Sequence, residues 1–420
     1  VRLAELTQVG FRIGLLGFGG PAGQIALMQR EYVERRHWIS TQDYLTGMAL
    51  CSLLPGPEAQ QLATWVGYRL RGVTGAVISG GLFVLPGLAL ILALAGLYVG
   101  LGTVPEVAAA LLGVQAAVLG FLIEALVKLR RRAADTALSV WIGLLACAGM
   151  LAGLPVWLLL AVGAAVGLLI PAPAVRARPP VEGIKRGSAL VAGGVALALW
   201  LVPVAAVSLA LGPEHVLTEV AQVFSLLATF SFGGAYALLG WLQAQAVEVQ
   251  GWLAASQMVD ALGLAETTHG PLVLITSFVG FVAGAQAGEG ATLWGLALAG
   301  GLLAAWCTFL PSFAWVFLSI PVAERLIAIP AVARALRGVL MVVLGVILAL
   351  GLHFGAVVLF ASPQGVLLGP LVLPDPMSLR PVPALIAALA TFLLLFSQTG
   401  VVRVVGVCAG LGLAAYMLGA

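Results

Sequence analysis

The chain is short of charge. Of its 420 residues only 9% are Asp, Glu, Lys or Arg, while 61% are hydrophobic and the mean hydropathy is +1.11; a soluble domain carries about 25% charged residues. The shortage excludes a water-facing surface over most of the molecule and places the chain in a lipid bilayer. Cysteine is scarce as well. Cys51, Cys147, Cys307 and Cys408 stand singly in apolar segments, a spacing that argues against a disulfide framework or a zinc site. No HExxH, no GxxxxGK[ST] and no GxSxG occurs, so the signatures of a metalloprotease, a P-loop NTPase and an α/β-hydrolase are all missing. The glycine run from Gly17 to Gly23 lacks the strand-turn-helix setting of a nucleotide site. An enzyme, a cofactor, a bound metal and a nucleic-acid partner are therefore not expected. No charged-then-apolar leader ending in small residues follows Val1, so no cleaved signal peptide is expected.

What the chain has in abundance is apolar sequence. Runs at 73–99, 106–127, 154–170, 188–212, 291–318, 338–360 and 401–419 mostly reach the roughly 20 residues that a membrane helix needs. Those at 136–151 and 383–397 are short for one. The fold class expected is an all-α polytopic membrane protein. Its orientation follows from the few cations. Lys128, Arg130, Arg131 and Arg132 form one cluster, and Arg176, Arg178, Lys185 and Arg186 mark a Pro-rich linker, 171–187; both belong in the cytoplasm by the positive-inside rule.

The chain also repeats itself. Phe18-Gly19-Gly20, Val33-Glu34, Trp38 and Gly56-Pro57 recur 214 residues on as Phe232-Gly233-Gly234, Val247-Glu248, Trp252 and Gly270-Pro271. Residues 3–57 align with 217–271 without a gap, with 14 identities in 55 pairs. An odd number of crossings between equivalent points turns the second copy over. Charge agrees, since Arg69 and Arg71 precede span 73–99, whereas Arg325, Arg334 and Arg337 follow the matching span 291–318. The expected architecture is two inverted-topology repeats, 1–170 and 188–420, joined by the basic linker 171–187 with 188–212 as the linking span.

Each copy interrupts apolar sequence with glycine and proline. Proline suits the first position of a helix, where its missing N–H is no loss, so Pro21, Pro57 and Pro271 read as the starts of half-helices. Re-entrant hairpins with tips near Gly20 and Gly56 at the bilayer midplane satisfy the topology. Irregular backbone at that depth requires surrounding protein or a water-filled cavity. Helix N-termini carry about half a positive charge and free N–H groups, so converging ends would bind an anion with several acceptor oxygens. Glycine at the tips lets the backbone come close. The candidate substrate-binding residues are Gly19, Gly20, Gln24, Gly56, Glu58, Gln60, Gln61, Gly233, Gly234, Glu266, Thr267, Thr268 and Gly270, with Glu58, Glu266 and His269 as candidates for proton coupling. Glu58 at a helix start could equally be a cap. Glu34 and Glu248, with Trp38 and Trp252, fit interface anchors or ion-pair partners better than ligands.

Phe18-Gly19-Gly20-Pro21 with Gln24-Ile25 and Met28, then Val33 to Trp38, then Leu54-Pro55-Gly56-Pro57-Glu58-Ala59-Gln60-Gln61-Leu62-Ala63-Thr64, closely resemble the first-half signature of the chromate ion transporter family. Phe232 to Ala237, Gln257-Met258 and Gly263 to Thr268 before Gly270-Pro271 resemble its second-half signature, so the likeness covers the long two-domain form. His269 departs from it, standing where proline is expected. The resemblance implies export of chromate from the bacterial cytoplasm, hence chromate resistance, with sulfate as isosteric competitor and the inner membrane, with its lipid, as the setting. A sulfate or other oxyanion importer or exchanger, or an anion channel, would use the same helix ends. The assembly state stays open, a homodimer included.

Overall fold

The computed structural model describes residues 1–420 except 19, 134–135, 171–185, 233–234, 362–365, 369–370, 398 and 420. Nearly all of the described chain is helix. The first half runs α1 (Leu3–Leu16), α2 (Gly20–Gln29), α3 (Thr41–Cys51), α4 (Glu58–Leu101), α5 (Pro105–Ala133), α6 (Ala137–Leu151), α7 (Val156–Leu169) and α8 (Arg186–Leu211). The second runs α9 (Val216–Phe230), α10 (Ala235–Gln243), α11 (Ala255–Thr267), α12 (Ile275–Ala287) and α13 (Thr292–Ser319). Then come α14 (Ala323–Ile327), α15 (Pro330–Leu359), α16 (Pro381–Phe396) and α17 (Val401–Met417). A short antiparallel hairpin, β1 (Val366–Leu368) with β2 (Leu371–Leu373), pairs Val366 with Leu373. Of the linker 171–187, residues 171–185 lie outside the described residues.

The helices fall where the apolar runs are. In hydrocarbon every backbone N–H and C=O must be satisfied within its own segment, which leaves helix as the form these runs can take. Among the described residues five helices are long and apolar enough to cross a membrane: Glu58–Leu101, Pro105–Arg131, Gly187–Leu211, Thr292–Val322 and Pro330–Leu359. The chain is thus an all-helical polytopic membrane protein. α6 and α7 have 15 and 14 residues and, at 1.5 Å per residue, reach only about 20 Å of a roughly 30 Å core.

Local chemistry sets the ends. The Ser40 hydroxyl accepts the Asp43 N–H at 3.0 Å to cap α3, and His215 Nδ1 accepts the Leu217 N–H at 3.2 Å to cap α9. α4 is bent at Arg71 and Gly72, where Gly72 takes φ +63. Small residues let backbones meet: a β-carbon at Gly280 would stand 2.6 Å from the Gly300 carbonyl oxygen, so α12 and α13 touch along their glycines.

A π-helical turn, Arg30–Arg35, extends α2, and another, Ala244–Val249, extends α10. The two are 214 residues apart, so the repeat extends to an uncommon backbone form that identity alone did not announce. Glu31 in the first turn is 1% exposed and pairs with Arg35 at 2.9 Å and with Arg36. Burial by itself would raise its carboxyl, but the hydrogen bonds from Arg36 and Arg35 prevail and hold it below the usual carboxylate range. Arg36 also lies over the Trp38 ring, 5.5 Å from its centroid. Glu34, expected as an anchor, meets Gln29 at 3.3 Å.

The chain gathers into two compact units, each drawing on both halves. Unit one comprises Val1–Ala95, Ile170–Leu238 and Thr268–Leu336; unit two comprises Gly96–Leu169, Leu239–Thr267 and Arg337–Ala420. In unit one α13 packs against α8, α9 and α12; in unit two α5 packs against α11, α16 and α17.

Candidate functional site

Both copies stop their first helix in the same way. After α1, Gly17 takes φ −77, ψ 66, and after α9, Ser231 takes φ −77, ψ 70. The Phe18 N–H donates to the Leu16 carbonyl and the Phe232 N–H to the Phe230 carbonyl, each at 2.9 Å. These are inverse γ-turns, each leaving the carbonyl of its central residue free to face another segment.

Those two carbonyls accept across the repeats. The Gly56 N–H donates to the Ser231 carbonyl at 2.9 Å, and the Gly270 N–H donates to the Gly17 carbonyl at 3.1 Å. Positions 17 and 231, like 56 and 270, are equivalent in the two copies. Each break thus donates to the turn carbonyl of the other copy. All four residues lie in unit one. Gln24 strengthens one side, its Nε2 donating to the Gly17 carbonyl at 3.1 Å and also to the Gly270 carbonyl.

The glycines are needed for their backbone. Gly56 has φ +118 and Gly270 φ +94, values that side-chain-bearing residues rarely adopt. Helices start beside them. Pro57 precedes Glu58, the first residue of α4, with its carbonyl accepting the Gln61 N–H at 3.0 Å. Pro271 precedes a 3₁₀ turn, Leu272–Leu274, that runs into α12, and its carbonyl accepts the Leu274 N–H at 2.9 Å. Pro21 is the second residue of α2, after Gly20 at φ +68. Nothing lies within 4 Å of where a Gly20 β-carbon would stand.

Around the Gly56 break are buried polar groups without partners. Gln60 and Gln61 are 0% exposed and Ser312, on α13, 1%. Gln61 Nε2 donates to the Pro55 carbonyl at 2.6 Å, yet Gln61 Oε1, both amide atoms of Gln60 and Ser312 Oγ make no hydrogen bond; at the Gly270 break Gln24 Oε1 makes none either. Each such group costs about 1–3 kcal/mol when left unsatisfied, so several beside one helix start point to a ligand that completes them. Ser312 Oγ is 2.6 Å and Gln61 Nε2 2.9 Å from where a Gly56 β-carbon would stand, so both face the break directly.

The remaining candidates are placed as follows. Glu58 is half-buried and its carboxylate accepts the Ser52 hydroxyl. Thr267 donates to the Leu264 carbonyl at 2.6 Å, within its own helix. Glu266 is half-buried and Thr268 buried. Glu266 and Thr267 belong to unit two, whereas Thr268 to Gly270 belong to unit one. His269 meets Phe18 edge-on at 5.7 Å. Gly19, Gly233 and Gly234 lie outside the described residues. Among the described residues no group of three His, Cys, Asp or Glu could hold a metal. Sequence reading missed Ser312 and the Gly17 and Ser231 carbonyls; the one available signal was Pro311-Ser312 interrupting an otherwise apolar span.

Interrupted helices that exchange hydrogen bonds inside a polytopic helical protein, with bare polar groups at the crossing, define a membrane transport protein. Comparison with known proteins makes this specific: the chain belongs to the chromate transporter family, whose model matches residues 4–168 and 218–413. That is a family of membrane transporters, not of enzymes, and the chain is a multi-pass protein of the bacterial plasma membrane. It is 30% identical over 422 positions to the chromate transport protein of Cupriavidus metallidurans, covering 99% of this chain and 94% of that one. It is 33% identical to the probable chromate transport protein of Synechococcus elongatus, covering 67% and 69%, and 32% identical to the chromate transport protein of Pseudomonas aeruginosa, covering 72% and 69%. No solved structure matches the chain.

Proposed function

We propose that the protein carries chromate out of the cytoplasm, holding the oxyanion at the half-helix starts where the two broken segments cross. The observation that carries this reading is the pair of buried, unpartnered donors, Gln60 Nε2 and Ser312 Oγ, beside the Gly56 break. Helix starts at Glu58 and Leu272 add free N–H groups, and Gly20, with nothing within 4 Å of where its β-carbon would stand, adds close backbone approach. The Gln60 amide and a serine hydroxyl can donate to the oxygens of a tetrahedral dianion without a permanent cation, which favours release as well as binding. Sulfate, of the same shape and charge, competes for the same groups.

The two copies are inverted about an axis in the membrane plane, a reading supported by the reciprocal Gly56–Ser231 and Gly270–Gly17 hydrogen bonds and by the opposed arginines of the two halves. Export is favoured by charge. Moving one charge through 100 mV is worth about 2.3 kcal/mol, so expelling a dianion from a negative interior gains about twice that, and uptake would need coupled cations.

The test is uptake of labelled chromate by inside-out membrane vesicles, with the potential and the proton gradient collapsed separately. Saturable uptake that sulfate inhibits and that falls when the potential is removed is expected. Uptake confined to right-side-out vesicles would identify an importer, and flux that does not saturate, at ion-channel rates, a channel.

A further inference from the structure

Unit two holds a carboxylate that the proposed anion site does not use. Asp260, on α11, is 5% exposed. Its oxygens accept hydrogen bonds from two neutral donors, the Tyr98 hydroxyl at 3.0 Å and Gln115 Nε2 at 2.9 Å. None of the ion pairs among the described residues includes it. α11 packs against α5 and α17. α5 contributes Gln115 and carries Glu106 near its start and the Glu124–Lys128 pair near its end; α17 carries Arg403, Cys408 and Tyr416. α4 contributes Tyr98, and α11 itself carries Gln257 and Glu266. The hydrogen bonds to the carboxyl come from Tyr98 and Gln115. A carboxylate withdrawn from water with no cation beside it costs several kcal/mol unless it takes up a proton, and such a group in a membrane protein marks a function by default.

Two features add to this. Gln115 also lines a cavity of about 770 Å³, with Pro105, Leu112, Met377, Arg380 and Tyr416 on its other walls, room for many waters at about 30 Å³ each. The acid also stands on the helix that leads into a break: α11 ends two residues before His269-Gly270, while Tyr98 lies in the last turn of α4, beyond its bend at Arg71 and Gly72. We propose that Asp260 is a proton-carrying site of the transport cycle, taking its proton from water in the cavity beside Gln115. When the carboxylate takes up a proton from hydronium, water is released and the charge is cancelled. The Tyr98 hydroxyl, donor to the ionised form, can accept from the protonated one in the same place. The inference rests on the chain being a transporter and does not depend on where the anion binds.

The experiment uses the purified full chain in proteoliposomes, with labelled chromate and an entrapped pH dye. Asp260→Asn keeps the shape and a hydrogen-bonding carbonyl but cannot ionise. It is expected to reduce chromate accumulation driven by a pH gradient at least tenfold while keeping chromate counterflow, which needs no net proton movement. Tyr98→Phe removes a donor to the ionised form and is expected to move the midpoint of the pH profile upward by about one unit. Accumulation by Asp260→Asn equal to the parent's overturns the proposal. So does loss of pH-driven accumulation in Glu58→Gln or Glu266→Gln but not in Asp260→Asn. Should the Asn variant fail to fold, a Tyr98→Phe profile superimposed on the parent's overturns it equally.

Discussion

Valine at Gly56 abolishes transport, with flux per inserted protein reduced at least tenfold, while the protein still reaches the membrane. Three effects act together. At φ +118 a β-branched residue is a steric outlier, and even the milder left-handed region costs about 1–2 kcal/mol. The new β-carbon would stand 2.6 Å from Ser312 Oγ and 2.9 Å from Gln61 Nε2, displacing the groups proposed to hold the anion. Any shift that relieves this strain also loosens the hydrogen bond from the Gly56 N–H to Ser231. Gly270→Val should be harmful for the φ +94 backbone, with a milder contact at 3.2 Å to the Leu274 side chain. Gly20→Val adds no contact within 4 Å, so its loss comes from backbone alone at φ +68 and is the smallest of the three. Membrane insertion and chromate flux, measured on the same preparations, check the order. Equal, near-parental flux in all three would reduce the breaks to kinks.

Single cysteines at Arg71 and Glu289, in a background without other cysteines, label from opposite faces of the membrane. Both are exposed. Arg71 sits at the bend that divides α4, and Glu289 in the 288–291 corner between α12 and α13, the corresponding place in the second copy. If the copies are inverted, a membrane-impermeant maleimide added to intact cells reaches one site and spares the other until the cells are opened. Labelling of both from one side would end the inverted-repeat account, whatever the vesicle experiments show.

Much of the fold was legible because a bilayer simplifies the problem: runs of apolar residues have little choice but helix, and every run read from the sequence carries one. The repeat was legible because glycine and proline at breaks cannot be exchanged freely. Partnering was not legible. The exchange between Gly56 and Ser231 and between Gly270 and Gly17 uses backbone atoms, so side-chain identity at 17 and 231 carries no trace of it. Ser312 and Asp260 are single polar residues in apolar or motif-rich stretches, and only tertiary contact tells a bare hydroxyl facing a break from one satisfied within its helix, as Thr308 is by the Ala304 carbonyl at 2.7 Å. Glu31 was hidden among the charges around it, although it alone of the acids in that stretch is buried with two arginines.

The most direct test of the central claim is equilibrium binding of labelled chromate to the purified protein, parent beside Gln60→Ala and Ser312→Ala. These substitutions remove buried polar atoms that have no protein partner, so they break no side-chain hydrogen bond within the protein. Binding that sulfate displaces in the parent, and that weakens about tenfold or more in each variant, is the predicted result. Unchanged affinity in both variants would place the oxyanion elsewhere and contradict the account.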